Sequence, residues 1–403
     1  MVEAIHPGTL GGRIEESNQK IMTDSNIHSK NHRAARNLMV ACGLLFFAFS
    51  FVYLYVLQRH VLEALHFYLS DGKTQYTPFW VAFILTAVLS LLQWGVNALL
   101  GLKGPVRALS YFPSFLLLGV LTDVDYSVYQ TGIHTYWMWL LPILLLVFVL
   151  TAFVLRRVFR FWLDKPMDIG LSTCSNLTIF LVFCFMTTGI GNTNIHFHHA
   201  LAVESAMRGH DYELVRKIGA KVVDPNRSLT ALRAYAMSKE GTMGEYLFQY
   251  PQLYQAEGLL LDADDQNNLR MTVDSLYTYL GERPRKGERA LPFFRRLCDE
   301  ETGNHTTLEY YLSALLLDKH LPQFVEAFNE LYTVRDSIPR HYKEALFLYE
   351  KQHPSDEPLV KDEAMEQRWQ EYEAMKQEYA HEKHIGNRLR KKFSDTYWWY
   401  WEF

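Results

Sequence analysis

From Ile169 to Val203 the chain carries no Asp, Glu, Lys or Arg, and the run Leu177–Met186 is almost wholly apolar. At about 1.5 Å of rise per residue, about twenty such residues cross a hydrocarbon core of about 30 Å as one helix. Four further runs share this character, at 38–57, 79–102, 108–122 and 136–155, with the last at 170–191. Lipid offers the backbone no hydrogen bonds, so spans of this kind are helical. The mean hydropathy of −0.10 over 403 residues would suit a soluble protein, but it averages two unlike halves. The expected fold is therefore all-α. A polar tail, 1–36, precedes a polytopic transmembrane bundle of about five spans, 37–194. A soluble domain of α-helical hairpins follows, 195–403.

Basic residues assign the sides. Lys30, Arg33, Arg36, Lys103, Arg107, Arg156, Arg157, Arg160 and Lys165 flank one set of span ends, whereas Arg59 and Lys73 flank the other. Positively charged loops stay in the cytoplasm. The expectation is an integral inner (plasma) membrane protein with a cytoplasmic N-terminus and 195–403 on the outer, extracytoplasmic side. The third span, only 108–122, has to cross for this to hold. Otherwise the basic loop 156–165 would face outward. Tyr136, Trp137 and Trp139 open the fourth span as an interfacial aromatic group. The first span is too long for a signal peptide and no small-x-small cleavage site follows it.

The polar half shows the 3.6-residue period throughout. Helices are expected over Ala200–Met207, Tyr212–Ile218, Leu229–Glu240, Leu308–Leu317, Phe324–Tyr332, His341–Lys351 and Lys361–His384, with Gly209 and Gly241 as stops. Thr242 with Glu245, and Thr306 with Glu309, have the spacing of capping boxes. The stretch 281–305, with Pro284 and Pro292, reads as an irregular joint. Gly209 and Gly241 recur at close to the 34-residue period of tetratricopeptide repeats. The Trp-x-x-Leu-Gly start of that consensus is missing. Stacked hairpins burying one another's apolar faces are the physical expectation.

Three segments carry a resemblance: Ala206-Met-Arg-Gly-His-Asp-Tyr-Glu-Leu-Val215, Ile338-Pro-Arg-His-Tyr-Lys-Glu-Ala-Leu346, and the ending Phe393 … Thr396-Tyr-Trp-Trp-Tyr400. Together they resemble a functionally uncharacterised family of multi-pass bacterial envelope membrane proteins with a tetratricopeptide-like helical-repeat tail. The resemblance spans roughly 38–403 and implies no activity or catalytic residue.

Few residues suggest chemistry. Asp123 and Asp125 sit at the outer end of the third span. Paired acids there could bind a divalent metal or act as a base in a membrane glycosyl- or polymer-transferase. That reading requires them to converge on one cavity, with Glu63 or Asp71. The plainer reading is a solvated loop. His196 and His199 would share a helix face, as metal ligands could, but no further ligand follows before Glu204, and interfacial histidines are the plainer reading. Gln93, Asn97, Ser172, Ser175, Asn176 and Thr178 suit interhelical hydrogen bonds, because no span centre holds an ionisable group. The terminal segment, Arg388–Lys392 then Tyr397–Phe403, suits either a lipid interface or a cap on the last hairpin. Cys42, Cys174 and Cys184 lie within spans and Cys298 stands alone, so no disulfide framework is expected. A net charge of −4 gives no support to nucleic-acid binding. No phosphate loop, nucleophile elbow or zinc-protease motif occurs, and no cofactor is expected. Two readings follow. The first is a non-enzymatic scaffold that presents its helical domain to an envelope protein partner. The alternative is the transferase built on Asp123 and Asp125.

Overall fold

The computed structural model describes residue 33 and residues 36–158, 169–261, 273–332, 338–354 and 360–403. Most of the tail 1–36, and Arg160 and Lys165 of the basic loop, lie outside them. The chain divides into two compact units, 1–193 and 194–403. Both are helical, with no strand among the described residues.

The first unit holds four helices long and apolar enough to cross a membrane: α1 (Arg36–Leu57), α3 (Pro78–Leu100), α6 (Trp137–Val158) and α7 (Ile169–Ile190). Between α1 and α3 lies a short amphipathic helix, α2 (Arg59–Ser70). Large apolar side chains face outward all along the four helices, among them Leu44, Leu91, Trp94, Trp139, Phe153 and Phe185. An apolar exterior of this extent suits lipid rather than water.

The run 108–122 is not a fifth long helix. Residues Gly104–Tyr111 form a 3-10 helix and α4 (Phe112–Val120) completes the run. Pro113 in the first turn of α4 lacks the N–H that a continuous α-helix would donate there, which accounts for the change of geometry. At about 2 Å and 1.5 Å of rise per residue, the two pieces laid end to end measure about 30 Å.

Contacts trace their course. Asn176 accepts from the Ala108 N–H (2.7 Å) and donates to the Gly104 carbonyl (2.9 Å). Thr187 donates to the Phe115 carbonyl (3.0 Å), and Asn192 N–H to the Thr122 carbonyl (2.9 Å). The run is therefore parallel to α7 over almost its whole length. It is also parallel to α1, since Phe46 packs on Tyr111, Phe49 on Phe115, and Tyr53 bonds Thr122 at 2.9 Å. Against α3 it is antiparallel: Gln93 donates to Ser110 (3.0 Å) and Ser114 to the Leu89 carbonyl (2.8 Å). Against α6 it is antiparallel too, through Phe112 on Phe148 and Trp137 on Asp123. Being buried among its neighbours rather than facing lipid, the middle run tolerates broken helical geometry.

Charge separates along the same axis. Arg36, Lys103, Arg107, Arg156 and Arg157 lie at one end, where Arg156 donates to the Leu100 carbonyl (3.1 Å). Arg59 and Lys73 lie at the other, with Asp71, Asp123 and Asp125. Gln93, Ser175 and Asn176 make the bonds between segments that their positions suggested.

The second unit begins with α8 (Ile195–Arg208), α9 (Tyr212–Lys217), α10 (Arg227–Glu240) and the single turn α11 (Met243–Tyr246). Then come α12 (Val273–Leu280), α13 (Ala290–Asp299), α14 (Thr307–Leu317), α15 (Leu321–Leu331) and α16 (Arg340–Gln352). The last are α17 (Glu363–Glu378), α18 (Ile385–Phe393) and α19 (Tyr397–Glu402). One continuous apolar core runs from Val203 to Trp398. It joins elements far apart in sequence: Glu245 accepts from the Arg340 N–H at 2.8 Å, and Phe248 packs on Tyr397 and Tyr400. A simple stack has contacts between neighbours only. This unit folds back on itself.

Three local expectations are corrected. The joint 281–305 contains α13, whose Pro292 sits in the first turn where its missing N–H costs nothing. Arg296 on α13 pins the preceding loop through Glu282 (2.5 Å) and Glu288 (2.9 Å). The charged stretch 361–384 is shorter as a helix than expected, ending at Glu378. Neither capping box forms: Thr242 turns to the Met237 carbonyl and Glu245 to Arg340, while the Thr306 hydroxyl and Glu309 Oε2 find no partner.

Glu309 is instead a half-buried acid beside Tyr332 and Tyr342, with its Oε2 shielded from solvent. Burial pushes its carboxyl up to about 7. The folded chain thus favours the neutral acid. That contribution is complete below the ordinary value of 4.5 and is lost as the pH rises through about 7. Glu309→Gln is expected to stabilise the unit by about 2 kcal/mol at high pH and to change little under acid conditions. Melting temperatures across the pH range check this; a difference independent of pH would contradict it.

Candidate binding cavity

A cavity of about 410 Å³ opens in the second unit, between the segment 248–255, the turn at Lys319 and helices α18 and α19. Each wall has a local cause. Gln252 donates to the Leu247 carbonyl (2.7 Å) and folds the Tyr250–Leu253 loop back on its own helical turn. Lys319 takes a left-handed conformation (φ 60°) that ends α14, and Asp318 beside it accepts from the Ala256 N–H at 3.0 Å. Tyr400 donates to the Leu317 carbonyl (2.6 Å), and Trp399 to the Gly386 carbonyl (3.1 Å).

The C-terminal segment thus packs on the domain. Tyr397 and Trp398 are fully buried. Glu344 of α16 holds this segment: one carboxylate oxygen accepts from the Tyr397 N–H (2.7 Å) and its carbonyl accepts from the Trp398 indole (2.9 Å). Asp395 bridges Arg340 (3.0 Å) and Arg368 (2.7 Å) just before it.

The lining combines aromatic rings with cations. Phe248, Tyr250, Trp399 and Tyr400 supply the rings, and Lys319 and Arg390 the charge. Among the described residues neither cation has a carboxylate within 4.0 Å. Burial lowers the Lys319 amine below its ordinary value. Behind the wall, the Arg233 guanidinium lies 4.3 Å from the centre of the Tyr250 ring, and burial lowers it to about 10. Arg233 is only 2% exposed and donates to the Ile218 carbonyl (2.9 Å). Sequence reasoning singled out the terminal basic–aromatic run but not Lys319, Tyr250 or Arg233, which meet only in the folded unit.

The sequence candidates lie elsewhere. Asp123 Oδ2 accepts from the Trp137 indole (2.6 Å) and from the Tyr136 hydroxyl. Asp125 accepts from the Ser127 N–H (2.8 Å) and hydroxyl (2.6 Å). Its burial favours the neutral acid, but the Ser127 bonds and nearby His134 outweigh this and lower it. His134 Nε2 lies 3.9 Å from a carboxylate oxygen of both Asp123 and Asp125, so the structure does bring the acid pair to one imidazole. Glu63 lies 3.4 Å from His60 on its own helix, and Asp71 pairs with Lys73 at 3.1 Å.

His196 and His199 share the first turns of α8, where Asn194 caps the His196 and Phe197 N–H groups. Their Nδ1 atoms are buried without a hydrogen-bond partner. Burial, with His196, Arg233 and His198 nearby, lowers His199. Among the described residues no group of three or more His, Cys, Asp or Glu side chains is arranged to hold a metal.

The chain matches the model of a family of unknown function, DUF6057, over residues 127–283 and 286–403. No curated protein and no solved structure matches it. The match takes in α6, α7 and nearly all of the second unit, including every wall of the cavity. On that coverage the chain belongs to the DUF6057 family of unknown function.

Proposed function

We propose that the protein is a membrane-anchored scaffold that crosses the bilayer five times and presents its helical domain outside the cytoplasm to a protein partner of the cell envelope. The observation that carries this reading is the course of residues 104–122. This run lies parallel to α1 and α7 and antiparallel to α3 and α6, with the basic residues gathered at one end. Five alternating segments with one basic end fit the positive-inside pattern, with the N-terminus in the cytoplasm. The second unit has its own core and an open cavity, which suits binding. We read its hairpins as a departure from a tetratricopeptide-like stack, folded back and closed by the C-terminal aromatic helix.

The transferase alternative draws less support. Asp123 is already engaged by Tyr136 and Trp137, Glu63 lies beside His60, and Asp71 pairs with Lys73, so each candidate acid has its own local partner.

Topology reporters test the proposal. Alkaline phosphatase and a cytoplasm-only fluorescent protein are fused after residue 205 and after Phe403. Active phosphatase with a dark fluorophore is the expected result at both positions. The reverse pattern would mean an even number of crossings, and a cytoplasmic adaptor instead.

A further inference from the structure

We propose that the cavity of the second unit binds a small organic carboxylate whose body is aromatic or aliphatic. Two independent features point to this ligand.

The first is charge. Lys319 and Arg390 line the cavity, and Arg233 lies behind its Tyr250 wall. Among the described residues none of the three has a carboxylate within 4.0 Å, although Arg216, Arg296, Arg340 and Arg368 of the same unit are all paired. A buried guanidinium without a counter-charge is costly. Arg233 is nonetheless buried, stacked on the ring that forms the wall. No Asp or Glu side chain lines the cavity to supply the missing charge. An anion bound there would.

The second feature is the apolar rim. Val223, Leu253 and Phe403 stand at the mouth with 60%, 53% and 48% of their surface exposed. The half-buried rings of Trp399 and Tyr400 line the cavity as well. A strongly hydrated dianion such as a sugar phosphate would leave these surfaces wet. A monoanion with an apolar body covers them while its head meets Lys319 and Arg390. The volume of about 410 Å³ falls in the range of small-molecule sites. This inference stands apart from the membrane topology, and a failed topology test leaves it intact.

The test uses the full chain in nanodiscs. Calorimetric titration compares 2-naphthoate with its neutral isostere, 2-naphthamide, which also reports partition into lipid. The acid is expected to bind saturably with Kd below about 1 mM, and at least about tenfold more tightly than the amide. Lys319→Gln and Arg390→Gln are each expected to weaken the acid about tenfold and leave the amide unchanged. Both side chains are part-exposed, so an unchanged melting temperature verifies the fold of each variant. Trp399→Leu should weaken both ligands. Equal affinity for acid and amide, absence of saturable binding by the acid, or indifference to both charge variants would overturn the proposal.

Discussion

Glu344→Ala is expected to destabilise the second unit by about 3–5 kcal/mol, lowering its melting temperature by about 10 °C. Glu344 is 2% exposed, yet every polar atom it carries past the helix is engaged. One carboxylate oxygen accepts from Arg340 Nε (2.9 Å), the other from His341 Nδ1 (3.0 Å) and the Tyr397 N–H (2.7 Å). Removing the carboxylate strands the last two donors in the core, and buried donors without acceptors carry the full desolvation penalty. Arg340 keeps Asp395, so the loss stays below that of an isolated buried cation. Glu344→Gln preserves shape but turns an amide NH2 toward a donor, and should cost about 1–3 kcal/mol. Thermal melts followed by tryptophan fluorescence measure both. An alanine variant that melts within a degree or two of the parent would show that Glu344 does not dock the C-terminal segment.

The long helices were legible because lipid imposes a demand that sequence states openly: about twenty residues without charge. The middle run shows the limit of that demand. Residues 108–122 carry the composition of a span, but Pro113 divides it, the 3-10 helix that enters it starts earlier at Gly104–Pro105, and its burial by α1, α3, α6 and α7 removes the need for one unbroken helix. Local patterns in the second unit were less reliable for a related reason. Asp211 caps α9 locally, accepting from the Leu214 N–H three residues on at 2.9 Å. Glu245 had the spacing for a capping box but met the Arg340 N–H, 95 residues on, and long-range packing took it. The cavity was not legible at all. Tyr250, Lys319 and Arg390 come from three distant segments, and no periodicity announces that they line one cavity. Only the terminal aromatic run signalled itself, and its docking depends on Glu344, which looked like one more charge on a helix.

Trp398→Ala should cost about 3–5 kcal/mol, at the upper end for a core truncation, and it should do so through the same joint as Glu344. The indole is 1% exposed and packs against Phe347, Trp369 and Tyr372, with the Trp369 ring edge-on at 5.1 Å. Its N–H meets the Glu344 carbonyl, which loses a donor in the variant. Because both side chains fasten α19 to α16, their effects should not add. Once either is gone the C-terminal segment is already loosened, and the double variant Glu344→Ala/Trp398→Ala is expected to fall short of the sum by about 1–2 kcal/mol. Trp399→Ala is the internal contrast. Trp399 is next in sequence but half-buried; it packs on the separate Tyr372, Leu389 and Phe393 cluster while lining the cavity, so its loss should cost about 1–2 kcal/mol, less than that of Trp398, and act on ligand binding as well. If Trp398 and Glu344 proved strictly additive, they would stabilise the unit independently and the C-terminal helix would not dock as one piece. Coupling between them, with Trp399 outside it, would mean that the helix closing the cavity is fastened from its buried face and leaves its other face free for a ligand.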